Sequence, residues 1–185
     1  DPSADVLWRL VDDLPILQDG LQSYIQARQS RTYNLDTGLL RAAVVDAPME
    51  FTAQAAQSPL VIDLPTPDGT FSRFVVWDSP IMAPELAAKF SEIKTYAGQG
   101  IDDPLANVRF DLTPAGFHAQ VLSPSGSFYV DPYWHLDDSL YISYFEQDYV
   151  IRPDSIFIEQ VMDEDPGLQS DGHHSIESMK LTAAS

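Results

Sequence analysis

Histidine and carboxylate are the reactive side chains this sequence offers, four of the first and 28 of the second, with no cysteine at all. His118 lies between Phe117 and Ala119 in an alternating run, and Asp111 and Asp131 fall on neighbouring expected strands, so an imidazole–carboxylate contact is within reach. A general base needs such a partner and also a nucleophile to activate, and no nucleophile stands out beside it. A hydrogen-bonded histidine on one face of a sheet is the ordinary role for that position. His135, between Tyr133-Trp134 and Asp137-Asp138, reads as loop. Asp102-Asp103, Asp137-Asp138 and Asp163-Glu164-Asp165 offer oxygen ligands to calcium, yet none has the Asp-x-Asp-x-Asp-Gly spacing that wraps the ion, and acidic turns are ordinarily just solvated. Asp171 with His173 and His174 combines two zinc-ligating chemistries, although adjacent histidines chelate poorly together and a solvated linker is the plainer reading.

Motifs that would define an enzyme are missing. The chain contains no His-Glu-x-x-His, no Gly-x-Ser-x-Gly, no Walker loop and no dinucleotide fingerprint, so the sequence reads as having no catalytic, cofactor-binding or metal site of its own. A net charge of −18 provides no basic patch for phosphate and opposes anionic bilayers, which argues against nucleic acid and membrane partners. No apolar run approaches the roughly 18 residues that span a bilayer. Zero cysteine removes disulfides, thiolate nucleophiles and thiolate metal sites, and fits an exported bacterial chain as well as a cytosolic one.

The elements that must position these groups are mainly strands. With 185 residues, 44% of them hydrophobic, the chain has the material for one core. Leu60, Ile62 and Leu64 alternate, Thr66-Pro67-Asp68-Gly69 supplies a turn, and Phe71 to Trp77 returns, which is a hairpin. Residues 107–113, 117–122, 127–131 and 139–145 alternate in the same way between tight turns and read as an antiparallel meander. Ile93, Thr95 and Ala97 form a strand that Gly98-Gln99-Gly100 is expected to break. Pro84 starts a short helix to about Phe90, and Asp36 caps another with Leu39, Leu40, Ala43 and Val44 on one face, after a short strand at Tyr33–Leu35. Val6, Leu7, Leu10, Val11 and Leu14 have helical spacing, with Ser3 or Asp5 as cap and Trp8 as a packing anchor. The expected fold is α+β and mainly antiparallel: a sheet or sandwich of about six to eight short strands with two or three short helices. Residues 1–30 read as an N-terminal helix and arm, 31–152 as the β-rich body and 153–185 as a flexible acidic linker, in which only Ile156-Phe157-Ile158 is apolar enough to dock.

Met82-Ala83-Pro84-Glu85-Leu86, followed by Ile93-Lys94-Thr95-Tyr96-Ala97-Gly98-Gln99-Gly100-Ile101-Asp102-Asp103, resembles the region that precedes the peptidase in secreted bacterial reprolysin-like (metzincin) zinc metallopeptidases. Leu35-Asp36, Leu39-Leu40, Ala47-Pro48, Leu64-Pro65, Asp68-Gly69, Gly116-Phe117-His118-Ala119 and Tyr129-Val130-Asp131-Pro132 fit the same pattern, which runs from Arg31 to Tyr149. The resemblance implies a secreted, propeptide-like domain that covers the cleft of a downstream or cognate zinc peptidase, keeps it latent and assists its folding, with zinc in the peptidase and not in this chain. Without cysteine a thiolate switch is excluded, so a ligand covering that zinc would come from Asp163, Asp165, Asp171, His173 or His174, with Asp171 favoured. Two other readings stand beside it. One is an extracellular module that binds glycan or protein through aromatics at Tyr133, Trp134 and Tyr141. The other is a small hydrolase built on His118.

Overall fold

A computed structural model describes residues 7–12, 25–57, 59–134 and 138–150. The chain divides into two units, Asp1–Ile151 and Arg152–Ser185, and the second lies outside the described residues. In chain order the first unit contains β1 (Trp8–Leu10), β2 (Ser30–Leu35), α1 (Thr37–Val44), α2 (Ala53–Gln57), β3 (Leu60–Pro65), β4 (Phe71–Asp78), α3 (Pro84–Lys89), β5 (Lys94–Gly100), β6 (Asn107–Thr113), β7 (Gly116–Leu122), β8 (Phe128–Pro132) and β9 (Leu140–Phe145).

All nine strands join one antiparallel sheet in the order β1-β2-β9-β8-β7-β6-β5-β4-β3. From β3 to β9 this is the expected meander, each strand hydrogen-bonded to its successor. β2 then returns beside β9, with Tyr33 opposite Tyr141, and β1 beside β2. The sheet curls until its two edges nearly meet. Three side chains span the gap to the backbone of β3 and its turn: Trp8 Nε1 donates to Asp63 O at 3.0 Å, Ser143 Oγ to Pro65 O at 2.8 Å, and the Tyr33 hydroxyl lies 3.5 Å from Thr66 O. Curling in this way brings the edges of β1 and β3 toward each other, which shields them from pairing with other chains.

Alternation decides which residues line the interior. Ile62, Leu64, Phe74, Val76, Val108, Phe110, Leu112, Phe117, Val121 and Val130 are all buried in the core cluster. Trp8 meets Tyr33, Phe117 and Tyr141 edge-on at centroid distances of 6.3, 5.7 and 5.8 Å, a favoured aromatic geometry. Gly98 does not break β5 as the sequence suggests; the strand runs on to Gly100, and Gly98 stands in the row between Val76 and Val108. A Cβ there would come within 2.6 Å of Val75 O and 2.8 Å of both valine methyls, so only glycine lets the neighbouring strands approach this closely.

The two ends of the curled sheet differ. At one end α1 is held on the body, with Asp36 accepting from Leu39 N at 2.9 Å, Leu40 and Val44 buried in the core, and Arg41 donating to Thr113 O at 2.9 Å. At the other end lie the β3–β4, β5–β6 and β7–β8 turns, the first reversing through Gly69 at φ +93°.

Two expectations need correction. The helix expected over Val6–Leu14 is not what forms at Trp8–Leu10, which is a strand paired with Tyr33–Leu35 in β2. The free edge of β2 supplies backbone partners that outweigh a weak helical pattern, and this ninth strand is the one by which the count exceeds six to eight. Tyr141 is not an exposed aromatic: it is fully buried, and its hydroxyl accepts from Phe117 N at 3.1 Å. The proposed caps Ser3 and Asp5 lie outside the described residues.

Two stability outcomes follow from this packing. Trp8→Phe keeps an aromatic side chain but removes the indole N–H that donates to the Asp63 carbonyl at the seam, and should cost about 1–2 kcal/mol in a urea melt. Gly98→Ala forces a methyl against Val75 O and should cost about 1–3 kcal/mol; a neutral effect would show that β4, β5 and β6 are less tightly set than described.

Candidate functional site

On the outer face of the sheet the β4–β9 registers bring two cross-strand rows side by side. One is Trp77, Ala97, Arg109, Gln120, Tyr129 and Tyr144; the other contains Thr95, Asp111 and His118, with Asp131 following on β8. These side chains point outward because Phe110, Phe117, Ala119 and Val130 between them point in, at the strand period of two. Of these, Thr95, Arg109, Asp111, His118, Gln120, Tyr129 and Asp131 line a recess of about 260 Å³ together with Ile81.

His118 and its carboxylates are the titratable centre of this recess. His118 Nδ1 lies 3.0 Å from Asp111 Oδ1, and both side chains are about one-third exposed. The hydrogen bond to Asp111 raises the imidazole pKa above its ordinary value, although partial burial works the other way. Asp131 accepts from the Tyr144 hydroxyl at 2.7 Å. Burial pushes the Asp131 carboxyl up, while the Tyr144 hydrogen bond and the charge of His118 hold it back. Burial, with Asp131 beside it, pushes the Tyr144 phenol well above its usual range, so it stays a donor at any physiological pH. Tyr129 stacks on Tyr144 at 5.5 Å and accepts from Gln120 Nε2 at 3.1 Å. At the edge of the recess Arg109 Nη1 donates to Ser79 Oγ at 2.9 Å, and Ser79 Oγ donates to Glu50 Oε2 at 2.6 Å.

The contact expected between His118 and carboxylates of neighbouring strands is therefore present, and it is a cross-strand pair, Asp111 facing His118 in the β6–β7 register. Chemically the arrangement can hold or exchange a proton and can hydrogen-bond a polar ligand. Among the described residues no serine or threonine hydroxyl is hydrogen-bonded to His118, so no nucleophile–base pair is assembled there. Among the described residues there is also no group of three or more His, Asp or Glu side chains arranged to hold a metal ion. Asp102 and Asp103 fall on a different part of the molecule, the β5–β6 turn, where Asp102 pairs with Arg73 at 2.6 Å and Asp103 accepts from Ser123 at 2.7 Å. His135, Asp137, Asp163, Asp165, Asp171, His173 and His174 lie outside the described residues. The sequence reading missed Arg109, Ser79 and Glu50, whose only common signal is polarity at scattered positions; their link appears once Met49 pairs with Asp78.

Fold and site together define a β-barrel-like domain, mostly antiparallel with three short helices among the described residues, bearing a polar recess on its outer face. No known family model, curated protein or solved structure matches the chain. No helix among the described residues is long and apolar enough to cross a membrane.

The pH behaviour of His118 follows from its partner. Its folded pKa lies above the unfolded value of about 6.5, so the Asp111 contact contributes its full stability below about pH 6.5 and loses it as pH rises through the folded value. An NMR titration should place His118 above about 6.5, and Asp111→Asn should bring it down and flatten the fall in melting temperature as pH rises above about 6.5. A wild-type value at or below about 6.5 would overturn the assignment.

Proposed function

We propose that this chain is the non-catalytic N-terminal domain of a secreted zinc metallopeptidase, which it keeps latent by covering the cleft and helps to fold by binding only its native state. The resemblance over Arg31 to Tyr149 supports this reading, because it coincides with the folded body from β2 through β9 and the turn that follows.

One observation carries the covering role. Phe51 is 95% exposed and adopts φ +63°. It is the third residue of a turn closed by Thr52 N donating to Met49 O at 3.3 Å, a position that suits glycine and is costly for a bulky L-residue. The turn is fixed from both sides: Glu50 N donates to Asp78 O at 2.9 Å, Asp78 N to Pro48 O at 3.0 Å, and Thr52 Oγ1 to Met49 O at 2.7 Å. A ring presented to water on a strained, well-held turn gains the chain nothing by itself, whereas buried in a protein partner it is the type of residue that anchors an interface. Met49, Ile81 and Leu86, also exposed, lie on the connections at the same end of the sheet. The acidic net charge of −18 disfavours an anionic bilayer as the surface it meets. In the same reading the segment after Ile151 lies across the peptidase cleft, with Asp171, His173 or His174 as the ligand toward its zinc.

Of the three aromatics on which the glycan- or protein-binding alternative rests, Tyr141 is buried, and Tyr133 and Trp134, edge-on at 4.6 Å, are partly accessible.

Purified chain should inhibit the separately made catalytic domain stoichiometrically. Phe51→Gly should weaken that inhibition about tenfold while leaving the melting temperature unchanged or higher, since glycine adopts the turn without strain. Asp171→Ala should weaken it as well if the carboxylate reaches zinc. A peptidase indifferent to the wild-type chain would sink the latency reading, and one inhibited equally by both Phe51 forms would remove Phe51 from the interface.

A further inference from the structure

The end of the curled sheet away from Phe51 and α1 is open. Three turns, β3–β4, β5–β6 and β7–β8, surround a second recess of about 260 Å³ whose floor is made by the inward rings of Phe74, Phe128 and Phe145 and by Val121. Phe128 and Phe145 face each other across β8 and β9. Gly100 and Ala106, joined by a hydrogen bond from Gly100 N to Ala106 O at 2.9 Å, keep one wall low. The rim is acidic. Asp68 accepts from Thr66 and from Thr70 Oγ1, the latter at 2.8 Å, and Asp103 accepts from Ser123 and Ser125 hydroxyls at 2.7 and 3.1 Å. These donors hold both carboxyls below the usual carboxylate range, so both are ionised at neutral pH. Arg73 is engaged by Asp102, whereas neither Asp68 nor Asp103 forms an ion pair among the described residues; Arg31 approaches Gly69 without one.

We propose that this mouth is a binding site for a small organic cation, an ammonium group carried on a short apolar body, with Phe128 and Phe145 under the ligand and Asp68 and Asp103 beside its charge. Aromatic faces attract a cation through their quadrupole, and fixed carboxylates at the rim add a Coulomb term that a neutral ligand of the same shape does not receive. Barrel mouths with an apolar floor and a few convergent polar groups are a common place for such ligands. Anions are disfavoured by the two rim carboxylates. The site is separate from the Phe51 end and independent of the latency reading.

Choline is a suitable probe because 3,3-dimethylbutan-1-ol has its shape without its charge. Titrated into the full chain and followed by amide NMR, choline should give saturable shifts in residues 101–106 and 123–127, and the alcohol should not. Asp103→Asn and Phe145→Leu should each weaken choline about fivefold, with melting curves confirming that both variants fold; Asp68→Asn replaces the first if it does not. Equal binding of the neutral alcohol, shifts confined to other parts of the chain, no saturable shift with choline, or affinity unchanged in both variants would each overturn the proposal.

Discussion

Three side-chain donors spanning a gap that no backbone ladder closes are what the rest of this structure depends on. Trp8, Tyr33 and Ser143 reach from one margin of the sheet to the carbonyls of Asp63, Thr66 and Pro65 at the other. Each lies in or beside a cluster of edge-on rings, so the polar contacts are made in a largely water-free interior where an unmet carbonyl would be costly. The closure converts a nine-stranded ribbon with two vulnerable margins into a curled body with an inside and an outside.

Once the inside is filled by Phe74, Val76, Phe110, Phe117 and their neighbours, every charged side chain described on these strands has to face outward or sit at a rim. That explains why His118, Asp111 and Asp131 form one polar group on the outer face, and why Asp68, Asp102 and Asp103 gather where the turns are. It also gives the two ends separate characters. Helix α1, with Leu40 and Val44, covers one end, near which the Phe51 turn stands out in water, while the other keeps a shallow opening with aromatic rings below carboxylates. Strain at Phe51 is a local departure from the best folding solution, and such departures tend to fall where a protein meets something else.

Much of the architecture was legible from local chemistry. Thr66-Pro67-Asp68-Gly69 between two alternating runs specifies a reversal whatever else surrounds it, and Asp36 ahead of Leu39, Leu40 and Val44 specifies a capped helix. Pro84 starts α3 for the same kind of reason. The Asp111–His118 contact was within reach of the sequence because Thr113 and Gly116 bound a tight turn, and register then follows by counting. Trp8–Leu10 misled because three residues carry little periodicity, and what decides their conformation is the open edge of β2, more than twenty residues away. Gly98 misled because a glycine that ends a strand and one that admits its neighbours look alike in sequence.

Taken alone, then, the order of residues determined the strands from β2 to β9 in outline, the turns between them and the side of each that is apolar, since these depend on φ preferences and a period of two. Only the folded chain decided that the sheet curls on itself, that Tyr141 is buried while Phe51 is exposed, and that Asp68 and Asp103 share one rim. Those facts rest on residues far apart in the chain coming together, such as Asp68 and Asp103 lining one mouth and Ser143 donating to Pro65 O, 78 positions away, and nothing in the neighbourhood of either partner announces the other.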